Sequence, residues 1–414
     1  MIEYRTFTLD NGLRVVHNCD PQTAMVAVNV LYDTGARDES PRQTGIAHLF
    51  EHLMFGGSAN VTDYSAELEA AGGSDNAWTS NDYTNFYDIV PAHNVETAFW
   101  LESDRLLSPA LSERTVEVQR QVVIEEFKQQ CLNRPYGNLG HHLRRLLYGE
   151  NNPYGWPVIG LRPEHVASVT AEDARRWFYS HYGPEKAVLA VSGNISYEKV
   201  RELAEKWFGP IERRTTEPRP ALHPVFPTSD IVERVTGAVP QTAVTIAFPM
   251  AAYGNPEYFI ADSLTDILAA GKSSRFYRRL VVGGDGLFTD ADASIAGSEC
   301  EGFLMLNVRL SDNSDEAVDR ARRIMLDEVR QLCEPGNISC RELERSLNRF
   351  ESTFNFSNMG YQAKAASLAM AVMHGEDVND TVERQRRLVS VESAMTTARD
   401  IFARPSVTVV YAPE

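Results

Sequence analysis

The sequence predicts an α+β protein with two homologous α/β sandwich domains, each an antiparallel-rich sheet with helices on one face. The chain has 414 residues, 43% of them hydrophobic, which favours two domains of about 200 residues each over one core. Strand and helix patterns recur in the same order in both halves. A proline-dense segment, residues 215–229, lies between the halves and predicts a linker, because proline fixes φ and removes a backbone donor.

The first half opens with strand signals. Residues 5–9 and 13–17 flank an Asp-Asn-Gly turn and predict a hairpin. The following strand and helix patterns cover residues 25–32 (strand), 45–55 and 64–71 (helices), 78–90 (one or two strands), 95–107 and 113–130 (helices), 187–194 (strand) and 197–208 (helix).

The second half repeats this order. The tetrapeptide PQTA at 21–24 precedes the first long strand, and it recurs at 240–243 before a strand predicted over 244–248. A helix that ends in glycine-rich sequence follows in each half, before a strand over 302–310 and helices over 314–332 and 340–360. The matching order predicts two domains of one ancestry, residues 1–214 and 230–414.

Composition excludes several classes of function. The formal net charge is -17, and the sequence contains no run of basic residues that could bind a phosphate backbone. We therefore expect no nucleic-acid partner. The acidic excess favours solubility, with attraction of basic peptides as the alternative. The five cysteines are scattered and odd in number, which predicts reduced thiols rather than a disulfide framework or a cysteine metal site.

The N-terminus has no apolar stretch typical of a signal peptide, and no apolar run reaches about 18 residues. We therefore expect no membrane span and a bacterial cytoplasmic location. A periplasmic or organellar location is the alternative if a leader has been removed.

The segment GIAHLFEHLMF, residues 45–55, contains the motif H-x-x-E-H. On a helix, His48 and His52 lie one turn apart on one face, where both imidazoles can bind one Zn²⁺. Glu51 lies on the same side of the helix and can reach a water on the metal without ligating it. The alternative is a packed histidine pair, but burial of these polar groups without a partner is costly.

A hydrolytic zinc site needs a third protein ligand and an open position. The helix predicted over 113–130 offers Glu125 and Glu126. Neighbouring residues on a helix diverge by about 100°, so only one of them can face the metal, and spacing alone does not choose between them.

At these motifs the sequence resembles the M16 zinc metallopeptidases, the family of pitrilysin, insulin-degrading enzyme and the mitochondrial processing peptidase, in its short, half-clamshell form. The segments that carry the resemblance are GARDE (35–39), HLFEHLMF (48–55), NAWT (76–79), VVIEEF (122–127), NPYGWPVIG (152–160), VSGN (191–194) and SSRFY (273–277).

The resemblance implies one zinc per chain, held by His48, His52 and Glu126, with Glu51 as the general base on the zinc-activated water. It implies that substrate pairs as an extended strand with Asn76, Ala77, Trp78 and Thr79; an ordinary surface strand is the alternative. The family often has a further glutamate seven positions before the third ligand. Here that position is Gln119, an amide that helps orient the site without a charge.

The sequence departs from the family pattern in its second half. Active members usually supply an arginine and a tyrosine there to hold substrate, but Val281 and Thr289 stand at those positions. Arg278 and Arg279 are close, but the helical register directs them elsewhere. At the positions that echo His48 and His52, this half has Asp262 and Asp266.

These departures indicate a zinc endopeptidase of peptides or small unfolded polypeptides that needs a second M16-type chain to supply the arginine and tyrosine. A heterodimer is the favoured assembly and a homodimer the alternative. Two other functions stay open: a non-catalytic or weakly active assembly subunit, and a zinc hydrolase of non-peptide amides.

Overall fold

The computed structural model describes residues 1–214, 219 and 221–414. The predicted linker at 215–229 therefore lies partly outside the described residues, and the part that is described contains no helix or strand. In the described part of the chain, no helix combines the length and apolar character needed to cross a bilayer.

The strands are β1 (Arg5–Thr8), β2 (Arg14–Cys19), β3 (Met25–Tyr32), β4 (Ser74–Thr79), β5 (Thr84–Pro91), β6 (Ala187–Gly193), β7 (Ile231–Gly237), β8 (Ala243–Met250), β9 (Phe288–Ala296), β10 (Gly302–Leu310) and β11 (Val407–Pro413). The α-helices are α1 (Ile46–Leu53), α2 (Tyr64–Ala70), α3 (Val95–Leu107), α4 (Glu113–Phe127), α5 (Leu139–Tyr148), α6 (Pro163–Ala167), α7 (Ala171–His181), α8 (Tyr197–Trp207), α9 (Pro256–Ala269), α10 (Asp315–Cys333), α11 (Cys340–Ser357), α12 (Tyr361–His374), α13 (Thr381–Leu388) and α14 (Val391–Phe402). Short 3-10 helices cover Ala36–Asp38, Ala92–Asn94, Pro153–Gly155, Pro184–Lys186 and Val378–Asp380, and π-helical segments cover Lys128–Asn133 and Tyr277–Val282.

The strands form two sheets with one repeated topology. The first has the order β1-β2-β6-β3-β5-β4 and the second has the order β7-β11-β8-β10-β9. Apart from β1, each strand of the first sheet has a counterpart at the same place in the second. In both sheets a single pair is parallel, β2 with β6 and β7 with β11, and the other pairs are antiparallel. The predicted α+β class with two antiparallel-rich sheets is confirmed.

Several elements have the predicted bounds, among them β3, α3 and β10. The Asp-Asn-Gly turn joins β1 to β2 as predicted, and Gly12 supplies the positive φ of +90° that the turn requires. The segment predicted as one or two strands over 78–90 is two strands, but β4 begins earlier, at Ser74. The turn between them forms because the Ser80 hydroxyl accepts hydrogen bonds from the backbone of Asp82 and Tyr83.

The chain forms two compact units, and each contains a segment from the other half of the sequence. The first consists of Met1–Phe127, Trp156–Pro220 and Phe354–Thr381. The second consists of Lys128–Gly155, Ala221–Thr353 and Val382–Glu414. The units therefore differ from the predicted contiguous domains, 1–214 and 230–414, at residues 128–155 and 354–381.

In the first unit, both faces of the central sheet are buried. Val28 and Val30 of β3 join the core that contains Leu49 of α1, whereas Ala27 and Leu31 join a second cluster with α12. Successive side chains of a strand point to opposite faces, so α12 covers the face opposite α1. The prediction of helices on one face is incomplete here, because a continuously apolar strand such as β3 is typical of burial on both faces.

The second unit repeats this arrangement. Ile246 and Phe248 of β8 pack with α9 and α10, and Ala247 joins a cluster with Leu143 and Leu147 of α5. The helix α5 thus covers the second face of this sheet, as α12 does in the first unit.

Candidate metal centre

The helix α1 presents its two histidines away from the core. Leu49, Phe50 and Leu53 on its other side are buried, which fixes the rotation of the helix about its axis. The imidazoles of His48 and His52 are partly buried neighbours, with ring centroids 4.9 Å apart and ring planes at 85°. The predicted i,i+4 pair therefore exists on a rigidly packed helix.

The start of α1 is held by a remote carboxylate. Gly45 precedes the helix with a φ of +90°, and a Cβ there would lie 2.8 Å from the carbonyl oxygen of Ile159, so a side chain does not fit. The buried Glu39 accepts hydrogen bonds from the backbone N–H groups of Gly45 and Ala47, each at 2.9 Å. These bonds satisfy donors that a helix start otherwise leaves unpaired.

Burial raises the pKa of Glu39 to about 8, against the opposing effect of its two backbone hydrogen bonds. This role of Glu39 was not predicted from the sequence. The signal for it was the glycine before α1, which has no side chain with which to cap the helix.

The carboxylate of Glu126 on α4 faces both histidines. Its Oε2 atom lies 3.7 Å from His48 Nε2 and 3.4 Å from His52 Nε2. Ligands about 2.0–2.1 Å from a tetrahedral zinc lie about 3.3 Å from one another, so the spacing fits one ion. Among the described residues, these three side chains form a group whose possible ligand atoms all lie within 4.8 Å. Glu125 is exposed and does not belong to this group.

The protonation of this group suits a metal. Burial and the neighbouring His52 lower the pKa of His48 to about 4, despite the proximity of Glu126. The His52 hydrogen bond lowers the pKa of Glu126, with further help from the charge of His48. A neutral imidazole and an ionised carboxylate are the forms that bind zinc.

Glu51 lies beside this group and is tied to the neighbouring strand. Its Oε2 atom accepts a short hydrogen bond from the hydroxyl of Thr79, the last residue of β4. Burial raises the pKa of Glu51, and the Thr79 hydrogen bond and His52 act against this rise. The sequence analysis gave Thr79 a place in the substrate strand but missed its contact with Glu51.

The strand β4 lies at the edge of the first sheet and pairs with β5 on one side. Asn76 and Trp78 are exposed, whereas Ala77 and Thr79 point towards the protein. The Ala77 N–H donates to the side chain of Asn76 at 2.8 Å. An edge strand presents backbone groups to which an extended chain can add.

Gln119 lies two helical turns before Glu126, on nearly the same side of α4, and is half-buried. Its role in orienting the site stays a prediction.

In the second unit, Val281 lies in the π-helical segment Tyr277–Val282, and Thr289 lies on the edge strand β9. The Thr289 hydroxyl contacts Gln241 at 3.2 Å and the backbone of Arg309 at 3.3 Å. Arg279 donates to Glu328 at 2.8 Å, which engages its guanidinium within this unit.

The chain belongs to the M16 family of peptidases. Residues 14–146 match the family profile described as insulinase, peptidase family M16, and residues 168–350 match the profile described as the peptidase M16 inactive domain.

Curated relatives include proteins named as zinc proteases and a processing-peptidase subunit. The zinc protease PqqE of Helicobacter pylori is 25% identical over 99% of this chain and 92% of its own length. The uncharacterized zinc protease YmxG of Bacillus subtilis is 28% identical over 66% of each chain. The mitochondrial-processing peptidase subunit beta of Saccharomyces cerevisiae is 25% identical over 89% of this chain and 82% of its own length.

The fold is also that of a solved protease from Helicobacter pylori. The two structures superpose with a TM-score of 0.88 over the whole of both chains, at 24% sequence identity. The half-size M16 fold that the sequence predicts is confirmed.

Proposed function

We propose that this chain is a zinc-dependent endopeptidase that hydrolyses peptides or small unfolded polypeptides. The observation that carries the proposal is the convergence of His48, His52 and Glu126 within 4.8 Å, beside the half-buried carboxylate of Glu51. Two imidazoles and one carboxylate are a ligand set typical of hydrolytic zinc, which keeps one position open. When bound there, zinc would polarise the attacking water and the scissile carbonyl.

In this proposal, Glu51 is the general base. It takes a proton from the attacking water and passes that proton to the amine that leaves. Burial raises the pKa of Glu51 towards neutral pH. A general base is most effective when its pKa lies near the pH at which the enzyme works. The Thr79 hydroxyl donates to one oxygen of Glu51 and so holds the carboxylate in one orientation.

We propose that substrate adds to the outer edge of β4 at residues 76–79. Backbone pairing reads no side chains, so we expect loose sequence preference. Because Thr79 bonds Glu51, a peptide on this edge lies close to the base. Gln119 is the proposed residue that helps orient the ligand helix.

A second M16-type chain would supply the arginine and tyrosine that hold substrate. Two observations support this proposal. Val281 and Thr289 stand where the resemblance expects those residues, and neither provides a charge or phenol. One relative is named as a subunit, which favours a heterodimer over a homodimer.

The same substitutions favour a second candidate function, a weakly active or non-catalytic M16 subunit. The retained His48, His52, Glu51 and Glu126 argue against it, because a subunit without chemistry has no need of a complete metal site.

The test is hydrolysis of a quenched fluorescent peptide by the purified chain, alone and mixed with a metal-free M16 chain that carries the arginine and tyrosine. Glu51→Gln is the control in both arms. We expect little hydrolysis by the chain alone and a gain of at least about tenfold in the mixture, lost with Glu51→Gln.

Strong hydrolysis by the chain alone would remove the need for a second chain while retaining the peptidase. No hydrolysis in either arm, with zinc bound, would favour the non-catalytic subunit.

A further inference from the structure

The second unit contains a cleft of about 830 Å³ between the turn that follows α9 and the start of α11. Its lining is rich in arginine. The cationic residues are Arg275, Arg278, Arg279, Arg341 and Arg345. The lining also includes Ser273, Ser274, Ser339 and Asn348, and two acids, Glu342 and Glu344.

This concentration of positive charge is local, since the whole chain carries a formal charge of -17. A concave surface with one sign of charge focuses the field and raises the local concentration of oppositely charged ligands. With five arginines against two glutamates, the lining has a net positive charge in a chain that is acidic as a whole.

Two deeply buried side chains of the lining have hydrogen-bond donors without an acceptor among the described residues. Arg275 has a side-chain exposure of 4%. Its Nε and Nη2 atoms donate to Glu342 at 2.8 and 3.2 Å, and Nη2 also donates to the Asn337 carbonyl at 2.5 Å. Its Nη1 atom has no hydrogen-bond partner among the described residues, and neither has the hydroxyl of Ser274, a residue with 0% exposure.

A third hydrogen-bond donor in the lining also lacks an acceptor. The Nη2 atom of Arg345, a half-buried residue, is buried and has no partner within the described chain. A buried donor without an acceptor costs free energy. Three of them around one cleft indicate a missing acceptor.

The acids of the lining do not supply that acceptor. Glu342 already binds Arg275, and it also accepts from the backbone and hydroxyl of Ser339 at 3.0 and 2.8 Å. Glu344 is exposed on α11. The exposed Arg278 and Arg341 add further positive charge at the cleft, and neither forms an ion pair with an acid among the described residues.

We infer that this cleft is a binding site for a small polyanion with phosphate or carboxylate groups. Guanidinium groups suit both, because their planar fork matches two oxygens at once. The volume of the cleft lies within the range of about 300–1,000 Å³ that ligand sites occupy, which favours a multiply charged ligand over a single ion. The site uses residues of the second unit alone and is independent of the proposed peptidase activity.

Isothermal titration calorimetry of the full chain with tripolyphosphate and, separately, with citrate tests the site. The two titrations distinguish a ligand with phosphate groups from one with carboxylate groups. The double variant Arg278→Gln/Arg341→Gln removes two cleft charges that form no ion pair within the described part of the chain. The control, Arg320→Gln/Arg330→Gln, makes the same charge change on α10, where both arginines pair with acids outside the cleft lining.

We expect at least one of the two anions to bind in a one-to-one ratio, with a dissociation constant that rises at least about tenfold in the cleft variant. The control should change it by less than about twofold. Ser274→Ala should leave the free chain folded and weaken binding, because it removes a hydroxyl that has no partner without a ligand.

Absence of binding by both anions would overturn the inference. An equal loss in the cleft variant and the control would also overturn it, since the attraction would then be that of scattered surface charge.

Discussion

The two units share a sheet topology but place opposite chemistry on equivalent helices. In the first, α1 follows β3 and carries His48 and His52, which face Glu126 on α4. In the second, α9 follows β8 and carries Asp262 and Asp266, and Asp266 pairs with Arg349 of α11 at 3.2 Å. The helices α4 and α11 are each the second α-helix after the fourth strand of the repeat, which is β5 in the first unit and β10 in the second.

The difference shows that the fold fixes where the helices lie, while a few side chains decide what they bind. In both units, burial disfavours the charged form of side chains at these positions. It lowers the pKa of His48 and raises those of Asp262 and Asp266. In the first unit, the histidines face the carboxylate of Glu126, with which they can bind a metal. In the second unit, Asp266 instead pairs with the positive charge of Arg349.

The first prediction compares a carboxylate-to-amide change on α1 with the same change on α9. Glu51→Gln should lower peptide hydrolysis by about 10²–10⁴-fold, the range that a general base contributes, with zinc retained. Asp266→Asn, at the position of α9 that corresponds to His52, should leave the rate within about twofold, because substitutions away from the chemistry have small effects. Rates with a quenched peptide check this, and equal losses in both variants would contradict it.

The next effect sharpens the choice of the third ligand. Glu126→Gln should weaken zinc binding by at least about 100-fold, more than the loss from an outer-shell change. The neighbouring Glu125→Gln should retain zinc, because Glu125 is exposed and outside the ligand group. Competition with a chromogenic chelator measures both affinities. Loss of zinc in the Glu125 variant alone would reverse the assignment.

A third effect compares how the two helices begin. Glu39→Ala leaves two buried N–H groups of α1 without an acceptor and should lower the free energy of unfolding by about 2 kcal/mol. The helix α9 begins with Asn255, whose side chain accepts from Glu257 N–H at 2.9 Å. Asn255→Ala should cost about 1 kcal/mol, as for other caps. Urea titration measures both. In addition, only the Glu39 variant should weaken zinc binding.

The smallest effect concerns pH and the second unit. Burial and Asp262 raise the pKa of Asp266 to about 6, above its ordinary value of 3.8. The folded chain therefore holds a proton that the unfolded chain releases, so this residue lowers stability as pH rises from about 4 to about 6. Asp266→Asn should remove that slope and change stability at neutral pH by about 1 kcal/mol or less. Melting temperatures across this range check the result, and an unchanged slope would contradict it.

Much of the fold was predictable because it depends on local patterns. The valine-rich apolar run of β3, the alternation in β10 and the helical period of α3 gave their bounds. The repeat of PQTA also marked equivalent strands, β3 and β8. The places of α5 and α12, each in a unit built mainly from the other half of the sequence, were not predictable, because the local sequence of a helix does not indicate which sheet it covers.

The candidate site, too, was predictable in part. The i,i+4 spacing on α1 predicted the pairing of His48 with His52. The choice of Glu126 over Glu125 needed either the family resemblance or the rotation of α4. The contact of Thr79 with Glu51 joins a strand to a helix, so no local pattern predicts it. For Glu39, the glycine before α1 indicates that the helix lacks a side-chain cap but not which residue supplies the acceptor.

Zinc content measured after dialysis tests whether the first unit, and not the second, holds the metal. The full chain is compared with His48→Ala/His52→Ala and with Asp262→Ala/Asp266→Ala, each checked for folding by circular dichroism. We expect about one zinc per chain, lost in the histidine variant and unchanged in the aspartate variant. Zinc retained without the histidines, or lost without the aspartates in a folded chain, would contradict it.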